Sequence, residues 1–264
     1  MRGLFRTCSP LSMTGWHKMA RDLAVEELVY VPKTALGLDP NVISPFHQTR
    51  IRELDDRSVK VDMPDGSLSD WIGSSRITRR LGVFLVRIGD FDEDTLIEPL
   101  SKSVLHFCRI LLPGDCVRVI EVRSLGELTH FWSVHHNLYE QVVLVGHGSA
   151  NSILFGRTNV SPSALADSLA VPGLSKKEII SLCCQTGRAE FAKPFSKSGC
   201  CSNFVAPFDS IHGCVASLFV QNYLTNRLLQ GLVVKTAFSR ARKDLLGAAS
   251  FRLWDNGTLK EDPR

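Results

Sequence analysis

Two short segments of the chain carry a nucleophile and a base, each directly after an apolar run. Gly146-His147-Gly148-Ser149 follows one such run, and the second run leads into Ser181-Leu-Cys-Cys-Gln-Thr-Gly187. A thiol becomes a strong nucleophile when an imidazole or another cationic neighbour stabilises its thiolate. The residue types therefore predict that His147 and Cys184 form a pair for nucleophilic catalysis.

The backbone beside the pair also suits this chemistry. Gly148 has no side chain, so its backbone can approach a carbonyl group closely. Its N–H and the N–H of Cys184 could together hold a developing oxyanion. Cys184 also lies where the sequence predicts the start of a helix, and a helix N-terminus stabilises a thiolate. We expect Gly148 and Cys184 to form an oxyanion hole.

The elements that must position these residues follow a regular alternation from residue 82 onward. Short apolar runs predict strands at 82–88, 117–122, 141–145, 178–183 and 203–207. Amphipathic stretches predict helices at 94–112, 125–138, 161–169, 189–196, 210–229 and 233–246. This order is typical of a mostly parallel sheet covered by helices on both faces, a three-layer α/β/α sandwich. Loops at the carboxyl ends of parallel strands share one crevice, so His147 and Cys184 are expected to face each other there.

The pattern of apolar and polar residues divides the chain into two predicted regions. In residues 1–80, Val59, Val61 and Met63 alternate with polar residues before a Pro-Asp-Gly turn, which indicates a hairpin. We interpret 1–80 as a small β-rich extension and 81–264 as the α/β domain. Short strands are also expected at 153–155 and 251–254, the latter turning at Asn256-Gly257.

Composition excludes several classes of protein. The chain has 264 residues, which is long enough for one globular core. Of these residues 44% are hydrophobic and 22% are charged, a composition typical of globular proteins and not of disordered or fibrous ones. The net charge of +4 is mild. Basic runs near Arg76 and Arg240 read as solvated faces, because no nucleic-acid motif accompanies them. A nucleic-acid partner is therefore not expected.

Location and redox state are also suggested by the sequence. The first residues lack the apolar segment of a secretory signal, and no stretch approaches the roughly 20 apolar residues of a membrane span. The expectation is a soluble, cytoplasmic protein without a membrane partner. Eight cysteines include two adjacent pairs and no C-x-x-C, a poor disulfide or zinc framework. No metal site is expected.

Each motif has a simpler interpretation. A His-Gly at a strand end is commonly a turn, and a single apolar-flanked Cys is commonly a packing residue. The occurrence of both motifs at neighbouring strand ends favours the catalytic pair. His135 and His136 could contribute to a metal site only with scattered cysteines. The segment from Gly146 resembles a serine nucleophile elbow, but its Ser is shifted by one position.

These residues carry a family resemblance. An apolar strand ending in His-Gly, followed by one ending in a small residue and Cys, resembles the caspase-like clan of cysteine peptidases. The segment 181–187 is similar to the Leu-Ser-Ala-Cys-Gln/Glu-Thr-Gly of CHAT domains. The likeness covers about residues 82–250. It includes the segment after the fifth strand, in which two predicted helices are separated by Gly231. It implies Cys184 as nucleophile, His147 as its base, and no metal or organic cofactor.

Two positions depart from the family pattern. CHAT domains usually have Ala where this chain has Cys183, so the assignment of Cys184 rests on the Gln-Thr-Gly that follows. The usual Trp of the fifth-strand motif is absent, and Pro207-Phe208-Asp209 stands in that neighbourhood. Neither departure removes the thiol or the imidazole.

The resemblance also suggests a substrate pocket. The loop after the first strand contributes to this pocket in caspase-like enzymes, and here it contains Asp90 and Asp92. Acidic residues there, with Asp209 as a further wall, would favour cleavage after Arg or Lys. Asp90 and Asp92 have an equally good interpretation as caps of the following helix.

The expected setting follows from the same resemblance. Small prokaryotic CHAT proteins suggest a regulated cysteine endopeptidase that cleaves one dedicated protein, in antiviral defence or cell death such as gasdermin activation. A regulatory or sensor protein would be a second partner. The first alternative is a catalytically silent caspase-like module that binds or signals. The second is a nucleic-acid adaptor that uses the basic runs.

Overall fold

A four-stranded antiparallel sheet forms the N-terminal part of the protein. The computed structural model describes residues 23–39, 46–78, 82–89, 95–112, 116–173, 175–243 and 245–261. The sheet consists, in spatial order, of β1 (Leu28–Pro32), β2 (Phe46–Leu54), β3 (Ser58–Val61) and β4 (Ile72–Gly73). Its own core includes Val29, Ile51 and Val61, which agrees with the alternation expected there. The boundary at residue 80 stays a prediction.

A seven-stranded sheet forms the centre of the remainder. Its strands are β5 (Val83–Ile88), β6 (Val117–Val122), β7 (Gln141–Val145), β10 (Lys177–Ser181), β11 (Cys201–Pro207), β12 (Phe251–Asp255) and β13 (Thr258–Glu261). The spatial order is β13-β12-β11-β10-β7-β5-β6. The five strands from β11 to β6 pair in parallel, and β12 and β13 are antiparallel. A separate hairpin of β8 (Ile153–Phe155) and β9 (Thr158–Val160) follows β7.

Within the described residues, six α-helices cover the two faces of this sheet. They are α1 (Ile97–Leu111), α2 (Leu125–His135), α3 (Pro162–Leu169), α4 (Ala189–Lys197), α5 (Gly213–Leu224) and α6 (Val234–Lys243). One core contains the buried side chains of α1, α5 and α6, and the other contains those of α2, α3 and α4. The fold is therefore the expected three-layer α/β/α sandwich with a mostly parallel sheet.

Alternation along the strands explains why both faces are buried. In β5, Val83 and Leu85 belong to one core, whereas Phe84 and Val86 belong to the other. Helix starts are set by local signals. Ser124 and Glu127 form a capping box at α2, and Ser161 caps α3 ahead of a proline in its first turn.

Several predicted boundaries were wrong. Strand β10 ends at Ser181 rather than Cys183, because the chain turns where the Ser181 hydroxyl accepts a hydrogen bond from the Cys183 N–H. The helix expected at 210–229 begins only at Gly213, with His212 as its N-cap. Its last part is a π-helix, Thr225–Leu229.

Among the described residues, no helix is both long and apolar enough to cross a bilayer.

Candidate active site

The two predicted catalytic residues follow neighbouring strands. Strands β7 and β10 pair in parallel, with Leu144 opposite Ser181. The Leu182 N–H extends this pairing by donating to the Leu144 carbonyl at 2.8 Å. His147 comes two residues after β7, and Cys184 comes three residues after β10. Both residues therefore leave the sheet at the same edge.

The loops that carry these residues are in direct contact. A Cβ added to Gly148 would lie 2.7 Å from the Cys184 carbonyl oxygen and 2.8 Å from the Cβ of Cys183. Only a glycine allows this approach, which the sequence analysis did not anticipate. The His147 side chain is exposed and Cys184 is half-buried, so the imidazole and the thiol are both reachable from solvent.

The hairpin after β7 holds the His147 loop in place. The Leu154 N–H donates to the His147 carbonyl at 3.0 Å, and the Ser149 N–H donates to the Ser152 carbonyl at 2.8 Å. These bonds flank the bridge between Gly148 and Ile153. The bridge does not use the N–H of Gly148, which fits the predicted use of that group as an oxyanion donor. The oxyanion hole itself stays a prediction.

The turn that carries Cys184 is fixed by the three residues after it. Gln185 has a left-handed backbone with φ of 63°, a conformation that costs a non-glycine residue about 1 kcal/mol. The buried Thr186 hydroxyl donates to the Cys183 carbonyl and lies 2.8 Å from the Ser181 hydroxyl. Gly187 packs so closely on β11 that an added Cβ would lie 2.5 Å from the Ala206 carbonyl. Thr186 and Gly187 thus each have a structural role in this turn, and Gln185 supplies its left-handed backbone.

The expected helix N-terminus at Cys184 is wrong. Residues 184–187 form a turn, and α4 begins only at Ala189. The peptide dipoles of α4 therefore do not begin at the thiol.

The other cysteines have different environments. None of the seven cysteines in the described residues is part of a disulfide. Burial raises the pKa of the Cys183 thiol to about 12, so this residue remains protonated and inside the core at ordinary pH. Cys214 is exposed, and its Sγ lies 3.2 Å from the Nδ1 of His212. The chain thus has an exposed thiol–imidazole pair apart from the two predicted catalytic residues, and experiments on Cys184 must control for it.

The predicted pocket residues are only partly described. Asp90 and Asp92 lie outside the described residues. Asp209 follows β11, and its carbonyl accepts a hydrogen bond from the Gln185 N–H at 3.3 Å. Asp209 therefore lies beside the turn that carries Cys184. Its carboxylate is exposed and forms a 3.6 Å ion pair with Arg188.

No cation site was found among the described His, Cys, Asp and Glu side chains, none of which group in threes with suitable spacing for a metal. His135, one of the two residues considered for a metal, lies with its Nε2 2.8 Å from Nη1 of Arg118. Burial and this cation lower the pKa of His135. The arrangement suits acyl transfer by a thiol and an imidazole.

Several residues that support the site were not found from the sequence. Arg188 contacts Asp209, and the Trp254 indole N–H donates to the Gly187 carbonyl at 3.0 Å. No sequence signal links Trp254 to a turn so distant along the chain. Arg188 lies four residues after Cys184, but no pattern in the sequence indicated that it would pair with Asp209.

The close approach at Gly148 predicts a specific stability effect. Gly148→Ala should lower the free energy of unfolding by about 1–3 kcal/mol, because backbone atoms of the Cys184 turn must move to admit the methyl group. Urea unfolding measures this effect. Gly199→Ala is the matched control, since an added Cβ there meets nothing within 4 Å. Equal stability of the two variants would contradict the contact between the loops.

Comparison with known proteins gives one structural neighbour of note. No protein-family model matches the chain, and no curated protein matches it in sequence. A solved structure similar to it is described as the X-ray structure of a secreted C11 cysteine protease from Bacteroides thetaiotaomicron in complex with an irreversible peptide inhibitor. The TM-score is 0.47 with 10% sequence identity, and the match covers 67% of this chain. The chain spans 66% of that protein's length, just under two thirds.

Proposed function

We propose that the chain is a caspase-like cysteine endopeptidase of the CHAT type, with His147 and Cys184 as its catalytic pair. The observation that carries the proposal is the packing of Gly148 against the Cys184 carbonyl, which puts an exposed imidazole and a half-buried thiol on touching loops. Two such groups on adjoining loops are suited to nucleophilic acyl transfer.

The proposed reaction uses groups of this chain alone. His147 takes the thiol proton, and the Cys184 sulfur bonds to the scissile carbonyl carbon. The N–H groups of Gly148 and Cys184 hold the oxyanion while the C–N bond breaks and His147 protonates the leaving amine. Water, deprotonated by His147, then releases the acyl group and restores the thiol.

The substrate is proposed to be one dedicated protein, cut after a basic residue that contacts Asp209. The resemblance to small prokaryotic CHAT proteins supports a cytoplasmic role in antiviral defence or regulated cell death, such as gasdermin activation. A regulatory or sensor protein would control the enzyme in that setting. Asp90 and Asp92 are proposed as further acidic residues of the pocket.

The test is labelling with a peptidyl acyloxymethyl ketone that presents arginine next to its electrophilic carbon. We expect one equivalent to bond covalently, with fragmentation mass spectrometry locating the adduct on Cys184. Burial of Cys183 should protect that neighbouring thiol. Iodoacetamide, which needs no peptide recognition, is the control reagent and should also modify the exposed Cys214.

The same experiment separates the alternatives. An adduct on Cys214 would move the site to the His212–Cys214 pair and overturn the proposal. Absence of any peptidyl adduct, with normal iodoacetamide labelling, would favour a silent binding module.

A further inference from the structure

Arg188 and Asp209 are both attached by backbone hydrogen bonds to the turn that carries Cys184. The Arg188 N–H donates to the Gln185 carbonyl at 3.0 Å, and the Gln185 N–H donates to the Asp209 carbonyl at 3.3 Å. Gln185 directly follows Cys184. The two charged residues therefore keep a fixed relation to the nucleophile, on the side of the site that faces β11.

The Arg188 side chain is anchored over Phe208. Its Nε donates to the Phe208 carbonyl at 3.0 Å, and its guanidinium carbon lies 4.9 Å from the centre of the Phe208 ring. Arg252 lies at 4.9 Å from the same ring centre. Stacking on an aromatic face favours the guanidinium position. Arg188 is thus held beside Asp209 by its contacts with Phe208 as well as by the attraction between the two opposite charges.

The Asp209 carboxylate is only partly used by this contact. Nη2 of Arg188 lies 3.6 Å from its Oδ1, a long separation for an ion pair, and the Asp209 side chain is 59% exposed. A carboxylate can accept hydrogen bonds on both oxygens. Asp209 can therefore still receive a second cation, but that cation would approach Arg188.

We propose that Arg188 tunes substrate specificity by competing with the basic side chain of a substrate for the Asp209 carboxylate. The inference rests on the proposed function and deepens it. A substrate guanidinium at Asp209 meets repulsion from Arg188 and, at longer range, from Arg252. Arg188 thus limits the preference for a basic residue over a neutral one of equal shape. Exposed ion pairs are weak, so the restraint amounts to at most about fivefold.

A pair of matched electrophiles tests this role. Two peptidyl acyloxymethyl ketones differ only in arginine or citrulline beside the reactive carbon, which keeps the shape and removes the charge. The measured quantity is the ratio of their second-order rates of Cys184 labelling, separated into reversible affinity and maximal rate. Arg188→Gln should raise the arginine-to-citrulline ratio by about two- to fivefold, through affinity.

Two further variants complete the test. Asp209→Asn should reduce the ratio towards one, because the attracting carboxylate is gone. Arg240→Gln removes an arginine that contacts Gln230, far along the chain from the Cys184 turn, and should leave the ratio unchanged. Thermal melting of each variant confirms that it folds.

The outcomes distinguish this inference from the proposed function. An unchanged or lower ratio in Arg188→Gln, or an unchanged ratio in Asp209→Asn, would overturn the inference while labelling of Cys184 persisted. Failure of both electrophiles to label Cys184 in the unmodified protein would instead contradict the proposed function.

Discussion

Replacing Cys184 with alanine is expected to lower the rate of peptide cleavage at least about a thousandfold, because the variant has no sulfur to form the acyl intermediate. His147→Ala should lower the rate by about 10²–10⁴-fold, since the thiol then loses its proton acceptor. The two residues act in one step, so the double variant should be no slower than Cys184→Ala alone. Initial rates with a fluorogenic arginyl peptide amide measure these effects.

Two other cysteines supply the controls for this prediction. Cys183→Ala removes a buried thiol and introduces the residue usual in the resembling family, so most of the rate should remain. Cys214→Ser removes the exposed thiol that lies beside His212 and should also leave the rate intact. A large loss in either control, with little loss in Cys184→Ala, would assign the nucleophile elsewhere.

Arg227→Met is expected to lower the free energy of unfolding by about 3–5 kcal/mol. Glu178, at the start of β10, is 3% exposed. The Arg227 guanidinium donates to its carboxylate through Nη2 at 2.7 Å and through Nε, and the Tyr223 hydroxyl donates to it at 2.8 Å. Removal of Arg227 leaves a buried carboxylate with one remaining donor, which is costly.

The controls separate the charge from the rest of this network. Tyr223→Phe should cost only about 1 kcal/mol, because Arg227 still pairs with Glu178. Burial and the adjacent carboxylate raise the pKa of Tyr223 well above its ordinary value, so its hydroxyl stays a donor. The double variant Glu178→Leu with Arg227→Met should recover much of the loss. Urea unfolding of all variants provides the numbers, and an Arg227→Met variant as stable as wild type would refute the role of the pair.

The sequence predicted the bounds of three strands correctly, including the strand that leads to His147. The bounds of β6, β7 and β8 coincide with those expected, because each is an apolar or β-branched run closed by polar or glycine residues. The parallel order followed from the alternation of strands and helices. Together these features put His147 and Cys184 at one edge of the sheet, which is the part of the site that local patterns can specify.

Long-range polar contacts could not be read in the same way. Glu178 and Lys177 in an otherwise apolar strand signal that charges there need partners. Nothing local identifies Arg227 as the partner of Glu178, or indicates that the last part of the preceding helix widens into a π-helix around it. The pairing of Arg188 with Asp209 depends on how β11 ends beside the Cys184 turn. Such contacts exist only once the tertiary structure is complete.

The hydrogen bond from Trp254 to Gly187 has a consequence for the order of folding. It joins residues 67 positions apart. Trp254 belongs to β12, which pairs antiparallel with β11. Contacts with such large sequence separation carry a high closure entropy and form slowly. The turn that carries Cys184 gains this donor only after the C-terminal hairpin has joined the sheet. A nascent or partly folded chain therefore lacks one of the contacts that hold this turn in its final conformation.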